Sequence, residues 1–190
     1  MIKAIIFDCF GVLTTDGWLK FREQYLMTGS TADHEAVELN HQSDAGLITQ
    51  QQFVHSVAEL AGVDVTVARG IINDQHTSND QLFTYIKDRL KPEYKIGMLS
   101  NVSQDYTAEL FTPEQNALFD AKVFSYQVGV TKPHPAMYET IATKLDLLPE
   151  ECIFIDDREG FVLGAHDVGM QALQYKDFSQ FRRQLEMMIH

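Results

Sequence analysis

Cysteine is scarce in this chain, with only Cys9 and Cys152 among 190 residues. Both lie in apolar runs that read as strands, where cysteine usually behaves as a small hydrophobe, so a disulfide framework is not expected. Positive charge is also in short supply: 15 Lys plus Arg stand against 27 Asp plus Glu, for a net charge of −12. That balance repels a polyanionic backbone and removes nucleic acid from the expected partners. A small anionic substrate stays admissible, because a metal ion and a few local cations can invert the field inside a cleft. Long apolar runs are missing. The opening segment from Met1 to Asp8 is interrupted by charge too soon for a signal peptide or membrane span, which makes the cytoplasm the default location. The seven histidines show no metal-ligand spacing, so zinc is not expected, and no repeat or low-complexity tract appears.

What the chain does have is an ordinary globular composition, 45% hydrophobic and 22% charged, in a length that supports one well-buried core with a modest insertion. Residues 4–7 form an apolar run closed by Asp8 and followed by Gly11, which suits a buried strand better than a helix. Similar runs recur at 96–99, 123–126, 153–155 and 172–175. Helical spacing appears between them: Leu82, Tyr85, Ile86, Arg89 and Leu90 share one face, as do Met137, Ile141 and Leu145, and Pro135 fits a first helical turn. Alternating strands and helices predict an α/β fold, a Rossmann-like parallel sheet covered on both faces. The stretch 15–78 breaks this rhythm, with helical segments at 18–27, 49–61 and 65–72, possible bends at Gly17 and Gly29, and no convincing strand. It reads as a helical insertion between the first strand and the next βα unit, which leaves 1–14 and 79–190 as the core.

In an open parallel sheet, ligands bind beyond the carboxyl ends of the strands. Four such ends are polar here: Asp8, the pair Ser100 and Asn101, Lys132 before Pro133, and the pair Asp156 and Asp157. Carboxylates with one lysine and one hydroxyl suit a phosphate site, in which hard oxygen ligands hold Mg²⁺ while the lysine and serine take phosphate oxygens. A free aspartate at such a site becomes a nucleophile able to form an acyl phosphate. Plainer readings stand beside these. Ser100 or Ser103 would cap the next helix, Lys132 would occupy a solvated turn, and Asp156 and Asp157 would cap a helix beside Arg158, although adjacent like charges call for a cation to relieve them.

The segments Ile5-Ile6-Phe7-Asp8-Cys9-Phe10-Gly11-Val12-Leu13, Met98-Leu99-Ser100-Asn101, Gly129-Val130-Thr131-Lys132-Pro133 and Ile153-Phe154-Ile155-Asp156-Asp157 follow expected strands in this order. Together they resemble the haloacid dehalogenase-like hydrolase superfamily over nearly the whole chain, and the insertion is similar to the small helical cap of its phosphatase-like branch. The resemblance implies a Mg²⁺-dependent phosphatase for a small phosphorylated metabolite. Asp8 would attack phosphorus, Ser100 and Lys132 would hold the transferring group, and Asp8, Asp156, Asp157 and the Phe10 carbonyl would bind the metal. Phe10, Gly11 and Asn101 would border the substrate, with Trp18 and Arg22, one helical turn apart on the cap, reaching it from above; such a pair also commonly packs with itself.

The departure is Phe10, because phosphatases of the family usually place a second Asp there as general acid and base. Such a group is worth about 10²–10⁴ in rate, so substrates with acidic leaving groups would suffer least from its loss. Asp16 is the nearest carboxylate able to replace it, although Asp before Gly17 and a helix reads first as an N-cap. An aromatic at this place also resembles the dehalogenase branch, whose members need no metal and usually lack the acidic pair that is intact here. A catalytically silent phosphate- or protein-binding module is the third reading.

Overall fold

The structure, a computed structural model, describes residues 1–74 and 76–189. Among these, β1 (Ala4–Phe7), β2 (Lys95–Ser100), β3 (Ala121–Phe124), β4 (Cys152–Asp156) and β5 (Gln171–Gln174) form one parallel sheet in the order β3-β2-β1-β4-β5. Central β1 is buried on both faces, which is why its sequence is a continuous apolar run and not an alternating one. The pleat sends Ile5 and Phe7, with Ile96, Met98, Ile153 and Ile155, into one apolar layer. Ala4 and Ile6 join Leu99, Val123 and Phe154 in the other. Each large apolar side chain so buried contributes about 1.5–3 kcal/mol.

After β1 the chain forms α1 (Gly17–Tyr25), α2 (Thr31–Asp44), α3 (Gln50–Ala61) and α4 (Val65–Ile72). These four pack around an apolar cluster of their own, with Phe21, Phe53, Val57, Ala68 and Ile72 at its centre. The helices that flank the sheet are α5 (Asp80–Tyr85), continued by a π turn over Ile86–Leu90, then α6 (Thr107–Leu110), α7 (Pro113–Asn116), α8 (Ser125–Val128), α9 (Pro135–Lys144), α10 (Glu159–Asp167) and α11 (Phe178–Ile189). No helix among the described residues is long and apolar enough to cross a membrane.

The structure departs from the sequence reading in several places. The strand expected at 123–126 ends at Phe124, and Ser125 opens α8. The Ser125 hydroxyl accepts the Val102 N–H at 2.8 Å and donates toward the carbonyls of Asp44 and Val102, which draws the chain off the sheet. Cys9 is not on a strand: it lies buried in the turn after β1, where its carbonyl accepts from the N–H groups of Leu13 and Thr14. Gly17 is no bend but the first residue of α1. A Cβ there would stand 2.4 Å from the Ile71 carbonyl oxygen and 2.7 Å from that of Ile72, so its bare Cα lets α1 close onto the end of α4. Helix α2 was not anticipated, because its apolar stripe is thin; the local sign is Ser30, whose Oγ accepts the Asp33 N–H as an N-cap.

Candidate active site

The parallel register brings the polar strand ends together. Phe7 pairs with Met98 on one side and Ile155 on the other, and the Asp8 N–H donates to the Ile155 carbonyl at 2.8 Å. Asp8 and Asp156 therefore leave adjacent strands at one level. The Lys132 ammonium lies between them, donating to Asp8 Oδ1 at 2.7 Å and Asp156 Oδ2 at 2.6 Å, with the rings of Phe154 and Phe161 at 5.1 and 4.9 Å. Asn101 clamps the backbone of Lys132: its Oδ1 accepts the Lys132 N–H at 2.8 Å and its Nδ2 donates to the Lys132 carbonyl at 3.2 Å.

Burial pushes the Asp8 carboxyl above the usual range, with Asp156 adding to the rise and Lys132 opposing it. Asp156 is raised for the same first reason, and Asp157 by burial and then by the charge of Asp8. The ammonium of Lys132 is raised despite its burial, because two carboxylates favour its charged form. The cluster therefore holds more negative charge than its one lysine relieves. Asp8, Asp156 and Asp157 each offer an oxygen, all within 4.8 Å of one another. Among the described residues, Asp157 Oδ1 is buried with no hydrogen-bond partner, and so is the Ser100 hydroxyl. Three hard oxygen ligands, surplus negative charge and an orphaned carboxylate oxygen fit a divalent cation such as Mg²⁺.

A cleft opens above this floor, bordered by Phe10, Trp18, Asp44, Asn73 and His76 as well as Asp8, Ser100 and Lys132. The His76 ring tilts against Phe10 at 5.2 Å. Its Nδ1 lies 3.1 Å from the Thr15 carbonyl, an acceptor that places the proton on Nδ1. Asp44 Oδ2 accepts from Asn40 Nδ2 at 2.9 Å, and burial raises the Asp44 carboxyl to about 7 against the pull of Arg158. Gln50 ties α3 to the core, donating to Asn73 Oδ1 at 2.9 Å and accepting from the Ser103 hydroxyl at 3.1 Å.

A family model for haloacid dehalogenase-like hydrolases matches residues 2–169. The chain belongs to this family. D-ribitol-5-phosphate phosphatase of Bacteroides thetaiotaomicron is 22% identical over 209 residues, covering 100% of both chains. A haloacid dehalogenase family enzyme from the same organism, crystallised with magnesium and inorganic phosphate, covers 95% of this chain and 99% of its own at 22% identity, with a TM-score of 0.69. L-2-haloacid dehalogenase of Xanthobacter autotrophicus, with chloropropionic acid covalently bound, covers 98% of this hydrolase and 83% of itself at 20% identity, with a TM-score of 0.68. These likenesses establish the fold.

Within this hydrolase the structure brings Asp8, Ser100, Lys132, Asp156 and Asp157 together, and sets Phe10, Asn101 and Trp18 along the cleft. Two expected substrate contacts fall elsewhere. Arg22 points to α2, where Nε meets Asp33 Oδ1 at 2.5 Å and the second guanidinium nitrogen meets Oδ2 at 2.9 Å, a bidentate lock between α1 and α2 and not a substrate contact. Trp18 packs on Phe21 and Phe53. Gly11 faces Asp157: at φ +87°, a Cβ would stand 2.6 Å from Asp157 Oδ2, so glycine there makes room for a carboxylate and does not border the cleft.

Neither Ser100 nor Ser103 caps the next helix, since Asp105 accepts the N–H of Thr107 at the start of α6 and Ser103 bonds Gln50 and Tyr106 instead. Asp16 is the N-cap of α1, accepting from Leu19 N–H at 2.9 Å through Oδ1 and from Arg158 at 3.0 Å through Oδ2. With both oxygens engaged, it is poorly placed to carry a proton for Phe10. Asp44 and His76 were missed. Asp44 ends α2, whose apolar stripe is thin, and His76 lies near the end of the 15–78 insertion, past the last helix expected there.

Proposed function

We propose that this hydrolase is a Mg²⁺-dependent phosphatase that acts on a small phosphorylated metabolite through an aspartyl-phosphate intermediate. The observation that carries the reading is the cluster of Asp8, Asp156 and Asp157 beside the unpartnered Ser100 hydroxyl and the buried Lys132 ammonium. Asp8 is the nucleophile: Lys132 occupies one of its oxygens and leaves the other for phosphorus. The Ser100 hydroxyl and the Lys132 ammonium take oxygens of the transferring group, and Asn101 positions Lys132 by holding both of its backbone groups. Asp8, Asp156, Asp157 and the Phe10 carbonyl would hold the ion. When bound, Mg²⁺ supplies the positive charge that offsets the phosphate and the carboxylates around it. Residues 15–78 act as a cap over the 1–14 and 79–190 core, excluding water from the cleft.

One observation favours a second reading, dehalogenation of a short haloacid: Phe10 presents an aromatic ring to the cleft. Against it, the surplus of buried carboxylates around Asp8 would repel the substrate's own carboxylate unless a cation were bound. Purified protein assayed with and without Mg²⁺ against phosphomonoesters and 2-haloacids, with Asp8→Asn as the blank, separates the readings. Metal-dependent phosphate release that is lost in the variant supports the phosphatase. Halide release insensitive to chelator overturns it, and Mg²⁺ binding without turnover points to a silent module.

A further inference from the structure

The position that carries an acid in related phosphatases is Phe10 here, yet the cleft holds another carboxyl in a place fit to move a proton. Asp44 belongs to the helical insertion but is pinned to the core: its carbonyl accepts from Ser125 at 2.5 Å, and the same hydroxyl holds the backbone of Val102, two residues beyond Ser100. That tether, between residues 81 apart in sequence, fixes the end of α2 over the strand ends. Asp44 lines the same cleft as Asp8, Ser100 and Lys132, and its carboxyl accepts from Asn40 Nδ2 through Oδ2 at 2.9 Å.

We propose that Asp44 is the general acid and base of this hydrolase, supplying from the cap the proton transfers that Phe10 cannot. The role rests on the phosphatase reading. The Asp8 carboxylate bonds to phosphorus while the bond from phosphorus to the leaving oxygen breaks; that oxygen keeps the electron pair and takes the proton of Asp44, departing as an alcohol. Water then attacks phosphorus and gives its proton to the Asp44 carboxylate, the bond between Asp8 and phosphorus breaks, and phosphate leaves with both aspartates restored. The charge around Asp44 suits both halves. Burial favours its neutral form and Asp16 pushes the same way, while Arg158 and Lys132 favour the charged form, so that both states are populated near neutral pH. The phenol of Tyr106 and the imidazole of His76 border the same cleft.

The test is leaving-group dependence, measured with Mg²⁺ present on 4-nitrophenyl phosphate and on an alkyl phosphate. A phenolate with an acidic conjugate acid leaves without help, whereas an alkoxide needs the proton. Asp44→Asn lowers kcat/KM for the alkyl ester by about 10²-fold or more while changing the nitrophenyl ester by less than about tenfold, and it removes the alkaline limb of the pH profile for the alkyl ester. Asp44→Glu, which keeps a carboxyl, retains that limb, and circular dichroism confirms that both variants fold. An equal loss on the two esters, or no loss on either, overturns the role of Asp44, as does an alkaline limb that disappears with His76→Gln instead. If neither ester is turned over in an Asp8-dependent way, the phosphatase reading itself fails and takes the proton role with it.

Discussion

Replacing Lys132 by Met removes the cation between two buried carboxylates while roughly keeping the side chain's volume. Lys132 is 3% exposed, and its partners Asp8 and Asp156 are 7% and 0% exposed, so solvent cannot take over the pairing. Deleting one partner of a buried ion pair costs about 3–5 kcal/mol, because the other charge is left uncompensated. Here two carboxylates are stranded, with Asp157 beside them. The loss depends on pH. A carboxyl whose folded pKa is raised above its unfolded value costs nothing when both states are protonated; the cost appears as pH rises past the unfolded value and grows until the folded pKa is passed. Burial already raises Asp8 and Asp156, and losing Lys132 removes the opposing pull. In chelator, the deficit of Lys132→Met relative to the parent therefore grows from pH 5 to pH 8. For a chain of this length about 3 kcal/mol corresponds to about 6–12 °C in Tm. Thermal melts across that range, with and without Mg²⁺, measure it, and added Mg²⁺ stabilises the variant more than the parent. A variant as stable as the parent at pH 8 in chelator, or a deficit that shrinks as pH rises, would show that Lys132 does not offset the two carboxylates.

Other outcomes follow from the same contacts. Gly11→Ala pushes the new Cβ into Asp157 and lowers Mg²⁺ affinity by about 10–100-fold in a calorimetric titration, the usual scale for disturbing the support of a metal ligand. Phe53→Ala empties the centre of the α1–α4 cluster and destabilises the protein by about 3–5 kcal/mol in urea unfolding. Arg22→Ala breaks the bidentate lock on Asp33, which raises KM and loosens hydrogen-exchange protection in α1 and α2 with little change in Mg²⁺ affinity. Phe10→Asp restores turnover of alkyl phosphates to Asp44→Asn, since either carboxyl supplies the proton; a double variant as slow as Asp44→Asn counts against that equivalence.

Asp8, Ser100, Lys132, Asp156 and Asp157 were legible because sequence order and strand ends suffice to gather them. Each closes or follows an apolar run, and a parallel sheet aligns the ends of such runs. The strands themselves showed for the same reason, since burial on both faces writes a continuous apolar run. Arg22 was misread because helical spacing gives the face a residue shares and not the partner it meets, and that partner, Asp33, lies on a helix with too thin an apolar stripe to be seen. Asp44 escaped for a related reason: its place over the cleft depends on Ser125, far away in the chain, and no local pattern encodes that contact. The end of β3 moved two residues because that same serine found partners off the sheet. Gly11 was assigned to the substrate but faces Asp157, since the sequence shows that a side chain is absent and not what occupies the space.

In the proposed phosphatase reaction Asp8 attacks phosphorus. Mass spectrometry of the peptide containing Asp8, after rapid acid quench of the enzyme mixed with a phosphomonoester and Mg²⁺, tests it most directly. The expected result is a phosphoryl group on Asp8 that is absent in chelator and in Asp8→Asn. Phosphate released at full rate while Asp8 stays unmodified under every quench time, or in the Asp8→Asn variant, would contradict it.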